Sequence, residues 1–209
     1  MDHSSQLRYI RASFYKNFEP DYLKLREMSK TKRIVSEEFT KERTGIYFTG
    51  WKPCSQSKRV DIIIMKSSKK YHSITAYPGR ASLGSDGLRS TTGYFSKGTK
   101  RSAIALATFS RENILHEFGH LTGLRHEHIH PEAKTDLNCL KLGKRIIKPR
   151  KQQRKSKSRD QVLATTLIFS EYDSESIMNY CYIEKLRNEK RSQASLSEED
   201  LRTLRHIYN

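Results

Sequence analysis

Hydrophobic and polar positions change their spacing along this chain, and the changes mark out its elements. Residues 1–19 show no clear period and are expected to wrap the surface. From about Thr31 to Arg43, Ile34, Val35 and Phe39 form a short apolar stripe, with Glu37, Glu38, Lys41 and Glu42 facing out. This predicts a helix that Gly45 ends. Ile46-Tyr47-Phe48-Thr49 is β-branched and aromatic and reads as a strand. Val60 to Met65 is a second strand, apolar enough to be central in a sheet. Tyr71 to Tyr77 is a mixed strand closed by Pro78-Gly79, and its polar content suits a sheet edge. Residues 79–100, rich in glycine, serine and threonine, read as a long loop rimming a cleft. Ala103 to Ala107 is the next strand. Ser110 then stands at an N-cap position, with Glu112 in the first turn of a following helix. Val162 to Phe169 reads as a helix end or packed turn. Near the C-terminus Ser197 caps a last helix whose buried stripe is Leu201, Leu204 and Ile207/Tyr208, with Leu196 stapled onto Leu201.

Composition narrows the class. With 209 residues the chain fits one domain carrying an insertion. No apolar run approaches the roughly eighteen residues of a membrane span. The net charge is +17, but Lys141 to Arg159 holds ten Lys/Arg and no acid, so the remainder carries only +7. The basic character therefore belongs mainly to one stretch, which reads as a mobile loop or a polyanion-binding patch. No aromatic residues are interleaved there to stack on bases, and no nucleic-acid motif surrounds it.

The candidate chemistry lies in His116-Glu117-Phe118-Gly119-His120-Leu121-Thr122-Gly123-Leu124-Arg125-His126. On a helix His116 and His120 are i and i+4, so both imidazoles leave one face a turn apart, the separation two ligands on one zinc ion need. Glu117 lies beside the pair and can reach a metal-bound water without ligating the metal. Gly123 permits the positive φ that turns the chain back, so that His126 approaches the same ion. Three neutral nitrogens leave a fourth position open, the mark of a catalytic zinc site. His128 and His130 read as surface histidines, and they keep open an alternative for the third ligand. The full H-E-x-x-H-x-x-G-x-x-H string is the metzincin pattern.

Some fifty residues further on, Tyr172-Asp173-Ser174-Glu175-Ser176-Ile177-Met178-Asn179-Tyr180 follows. The two strings together resemble the astacin-like branch of the metzincin zinc peptidases, and most closely its compact bacterial relatives. The likeness is dense in residues 103–130 and 169–181 and weaker elsewhere. It implies an α+β, zincin-like fold: a twisted N-terminal mixed sheet with the active-site helix above it, and a C-terminal subdomain with a methionine turn and the last helix. Residues 1–209 are then a single catalytic domain, with subdomains of about 20–124 and 125–209 and a basic insert at 141–159. The resemblance implies one catalytic Zn²⁺ on His116, His120 and His126, with Glu117 as general base and proton donor. Met178 would floor the site, and Tyr180 would be an additional ligand at rest and an oxyanion stabiliser in action. Glu127 matches a glutamate with an internal structural contact. Asn179 departs from the histidine common before that tyrosine, so the hydrogen bonding of the turn is open.

The expected function is zinc-dependent endopeptidase action on a protein or peptide laid extended along an edge strand, for which residues 71–77 are the candidate. Alternatives are a catalytically idle zinc protein that binds polyanions through 141–159, and a zinc amidase acting on cell-wall peptides. We expect a monomer in a secreted or extracytoplasmic setting. The first residues, Met1 to Arg8, nevertheless show no apolar leader, so a leader outside this numbering, another route or an intracellular site stay open. Of Cys54, Cys139 and Cys181, none forms a C-x-x-C pair, and at most one internal disulfide can form. A Cys139–Cys181 bridge would tie both walls of the site together, while three reduced thiols remain the alternative.

Overall fold

The computed structural model describes residues 9–14, 25–53, 62–66, 74–76, 102–127, 130, 132–133, 171–189 and 193–208. The loop 79–100, His128, the basic stretch 141–159, Val162–Phe169, Cys54 and Cys139 lie outside them. The described chain is a mixed α/β structure. Its strands are β1 (Tyr9–Phe14), β2 (Tyr47–Pro53), β3 (Ile62–Lys66), β4 (Ile74–Ala76) and β5 (Ser102–Leu106). They form one sheet in the order β2-β1-β3-β5-β4. The first four run parallel, and β4 is an antiparallel edge strand on β5. The helices are α1 (Leu25–Glu38), the single turn α2 (Lys41–Thr44), α3 (Arg111–Thr122), α4 (Tyr180–Asn188) and α5 (Glu198–Tyr208).

One expectation is corrected here. Residues 9–14 are not a surface wrap but the second strand of the sheet, paired on both sides. Tyr9-Ile10-Arg11-Ala12-Ser13-Phe14 follows neither a period of two nor one of 3.6, and parallel backbone pairing leaves no local signal in sequence. The helix expected at 31–43 begins earlier, at Leu25, and breaks after Glu38. Thr40 caps a new turn there, its side chain accepting from Arg43 N at 3.2 Å.

The core forms between the sheet and the helices. Ile62, Ile63, Ile64 and Met65 of β3 are all buried, as a strand covered on both faces requires. Ile34, Val35 and Phe39 turn inward. Phe39, Phe48 and Phe118 meet edge-on or tilted, with centroids 5.1–6.2 Å apart, and so join the corner after α1 to β2 and α3. Trp51 is an extra residue in β2, between Gly50 opposite Ala12 and Lys52 opposite Ser13. Its φ of 48° places it in the left-handed region, rare for a bulky residue. The bulge aims the indole at α3. The ring stacks on Phe118 at 6.3 Å, while its N–H donates to Phe48 O at 3.0 Å.

A buried charge network fixes the start of α3. Glu38, expected to face out, is instead nearly inaccessible, because its carboxylate receives Arg111 on one oxygen, and Arg43 at 2.8 Å and Leu196 N at 3.3 Å on the other. Arg111 also meets Glu37 at 2.7 Å and donates to Ala194 O. Three separate segments thus converge on one carboxylate, whose burial is tolerable because it is well partnered. Removing the partner from the first turn of α3 leaves that buried charge short of a donor. Arg111→Ala is expected to lower unfolding stability by about 2–4 kcal/mol in urea titration. Arg33→Ala, which loses only the exposed i,i+4 pair with Glu37, should change it by less than about 0.5 kcal/mol.

Candidate metal centre

Helix α3 starts after Ser110, whose extended backbone makes it the N-cap, although its side chain accepts no capping hydrogen bond. The helix delivers His116 and His120 from one face, their ring centroids 4.6 Å apart. Each ring is locked from behind by a backbone carbonyl. His116 Nδ1 lies 2.9 Å from Ile177 O, and His120 Nδ1 lies 3.1 Å from Leu124 O. A carbonyl only accepts, so both Nδ1 atoms carry the hydrogen and both Nε2 atoms present bare lone pairs. Burial, assisted by the charge of Arg125 and opposed by the Leu124 bond, pushes the His120 pKa down to about 4. This ring is therefore neutral at physiological pH.

Gly123 ends the helix with φ 105°, its N–H bonding to Gly119 O and His120 O. The reversed chain brings back His126, whose Nε2 lies 3.2 Å from His116 Nε2 and 2.9 Å from His120 Nε2. Among the described residues these three histidines form the one cluster with metal-ligand spacing. His130 stands apart with its ring 5.8 Å from Tyr172.

Gly119 of α3 faces Met178. A Cβ there would lie 2.5 Å from the Met178 sulfur, so only glycine lets the buried methionine approach the helix. The turn carrying Met178 is held from two sides. Glu127 N donates to Met178 O at 3.3 Å, while the Glu127 carboxylate accepts from Asp173 N at 3.3 Å. Burial raises the Glu127 pKa to about 7. From α5, buried Asp200 accepts from Ser176 Oγ at 2.7 Å, Ile177 N at 3.1 Å and Ser197 N at 3.2 Å. Ser197 Oγ accepts in return from Asp200 N, completing a capping box with an aspartate in the usual glutamate position. Asp200 thereby anchors the residue whose carbonyl orients His116. In the sequence it reads only as a first-turn acid.

Tyr180, the first residue of α4, lays its ring against His116 and His126 at centroid distances of 5.1 and 4.7 Å. Burial, then the nearby charge of Glu117, pushes its pKa up to about 12, so it is a phenol at neutral pH. Glu117 itself is 5% exposed, on the helix turn that carries His116. Cys181, next to Tyr180, is disulfide-bonded, and its partner lies outside the described residues. Glu112 of α3 and Arg187 of α4 approach to 3.6 Å.

The donor set fits zinc. Four tetrahedral ligands at about 2.0–2.1 Å stand roughly 3.3 Å from one another. The His126 nitrogen sits at about that distance from both helix imidazoles. Two bare lone pairs face it, and a nitrogen with at most one hydrogen cannot donate squarely to both. A cation at their common focus resolves the repulsion. Sequence reading overlooked Gly119, although glycine inside a helix, at a cost near 1 kcal/mol, is itself a signal of close approach.

No family model matches the chain, and no curated protein does either. Among solved structures, the chain is similar to high choriolytic enzyme 1, a hatching-enzyme zinc protease from the medaka fish Oryzias latipes. The TM-score is 0.53 with 14% identity, and the match covers 97% of this chain and 90% of that one. At this identity the likeness concerns the fold.

Two measurements probe the geometry. Gly119→Ala should destabilise the chain by about 1–3 kcal/mol and reduce bound zinc. Combined with Met178→Ala, which vacates the space, it should cost less than the sum of the single changes. For Asp200, burial outweighs its three hydrogen bonds and raises its pKa from the ordinary carboxylate value to about 6. The folded state then binds more protons than the unfolded one between about pH 4 and 6. Its contribution is fully present below about pH 4 and fades as pH rises through 6. The stability advantage of the native chain over Asp200→Asn should shrink across that window, read from urea midpoints.

Proposed function

We propose that this chain is a zinc-dependent endopeptidase with His116, His120 and His126 as metal ligands. The observation that carries the reading is the convergence of three imidazole Nε2 atoms, two of them fixed as lone-pair donors by backbone carbonyls, beside a nearly buried carboxylate. A structural site closes its metal with a fourth protein ligand and has no use for an adjacent acid.

Zinc held by the three rings supplies a Lewis acid for the scissile carbonyl and lowers the pKa of water toward about 7. The remaining work belongs to side chains of this protein. Glu117 takes the proton as water attacks the carbonyl carbon, then delivers it to the departing amine nitrogen. Tyr180, held as a phenol by its raised pKa, donates a hydrogen bond to the carbonyl oxygen as negative charge develops there. Met178, buried against Gly119 between His116 and His120 in sequence, would serve as the apolar floor of the site.

The substrate of this reading is an extended peptide. Strand β4 ends the sheet order among the described residues and lies beside α3, which supports it as the edge along which an extended peptide would pair. Backbone pairing of this kind is tolerant of sequence, and selectivity then falls to side-chain pockets along the cleft.

The test is cleavage of casein and gelatin by the zinc-loaded protein. Glu117→Ala should retain zinc and lose about 10²–10⁴-fold in rate. Full zinc occupancy in the native chain with no cleavage of either substrate would sink the peptidase reading.

A further inference from the structure

We propose that Asn179 is the positioning residue for Tyr180, fixing where the phenol meets the substrate oxygen; this rests on the peptidase reading above. Asn179 is completely buried, with 0% exposure, immediately before Tyr180. Both ends of its amide are engaged in different directions. The carbonyl oxygen accepts from Cys181 N at 3.0 Å and so caps α4, the helix that Tyr180 opens. The amide nitrogen donates to the Tyr172 hydroxyl at 2.8 Å, with Asp173 O and Ser174 O further off at 3.4 and 3.5 Å. Its own backbone N–H bonds to Ser176 O at 2.9 Å, and its carbonyl receives Ile183 N at 3.1 Å.

The consequence is geometric. Tyr180 reaches the histidines from the first helical position, where a small rotation of the helix start displaces a side-chain tip by ångströms. The cap sets that start, and the bond to Tyr172 sets the cap. Capping alone is served as well by aspartate. Only asparagine joins an acceptor for Cys181 N to donors facing a phenol and two carbonyls. An aspartate would retain the cap but turn an oxygen toward those carbonyls. Loss of the donor therefore moves the phenol while leaving His116 and His120 on the carbonyls of Ile177 and Leu124.

A double-mutant cycle separates positioning from general support. Native chain, Asn179→Asp, Tyr180→Phe and the double variant are compared as full-length, zinc-loaded proteins on fluorescein-labelled casein, with zinc content measured for each. Tyr180→Phe should lower kcat by about 10–10³-fold. Asn179→Asp should lower kcat about tenfold with zinc content unchanged, and should add less than about twofold on the Tyr180→Phe background. Should Asn179→Asp fail to fold, Tyr172→Phe removes the partner hydroxyl alone, and its effect on kcat should likewise vanish on that background. Effects that multiply independently of Tyr180, or a native rate in Asn179→Asp, overturn the assignment while leaving the peptidase reading standing. Absence of cleavage by the zinc-loaded native chain overturns both.

Discussion

Two backbone carbonyls govern the centre of this molecule. Ile177 O and Leu124 O each take the outward hydrogen of an imidazole, and that choice of tautomer turns the opposite nitrogen into a ligand. Free histidine rings would sample both tautomers and several rotamers. Here the orientation is a property of the main chain, and the rest of the structure serves to hold those two carbonyls still. Leu124 is placed by the left-handed turn at Gly123. Ile177 is placed by Asp200, which grips its N–H from the last described helix.

The sheet and the charge network act at the next level. Stacking of Trp51 on Phe118 and the packing of Phe39 and Phe48 fix the azimuth of α3, while Arg111 fixes its start. The two constraints differ in kind. Aromatic packing is tolerant of small shifts, whereas a buried carboxylate with three donors has one good arrangement. Together they keep the helix that carries His116 and His120 from sliding along the sheet.

Much of this was legible in the sequence, and the exceptions have physical causes. His116, His120, Gly123 and His126 are local in sequence, so their spacing on a helix and turn could be read directly. Buried β3 and the edge strand β4 announced themselves by apolar run and polar mixture. Strand β1 did not, because a parallel strand is defined by neighbours distant in sequence. Asp200 and Glu38 were likewise hidden: on a helical wheel each is an ordinary acid, and only tertiary structure shows what its oxygens accept. Asn179 stood out as a departure from the family pattern, but its two-sided bonding depends on Tyr172 being folded back against it.

The anchoring of Ile177 by Asp200 also imposes an order in time. All three histidines have been synthesised by residue 126, yet the acceptor that selects the His116 tautomer comes fifty-one residues later, and its anchor twenty-three residues after that. A chain still emerging from the ribosome therefore carries the ligands without the device that aims them. The centre reaches its final geometry only when helix α5 has docked, which ties maturation of the site to a segment made long after its ligands.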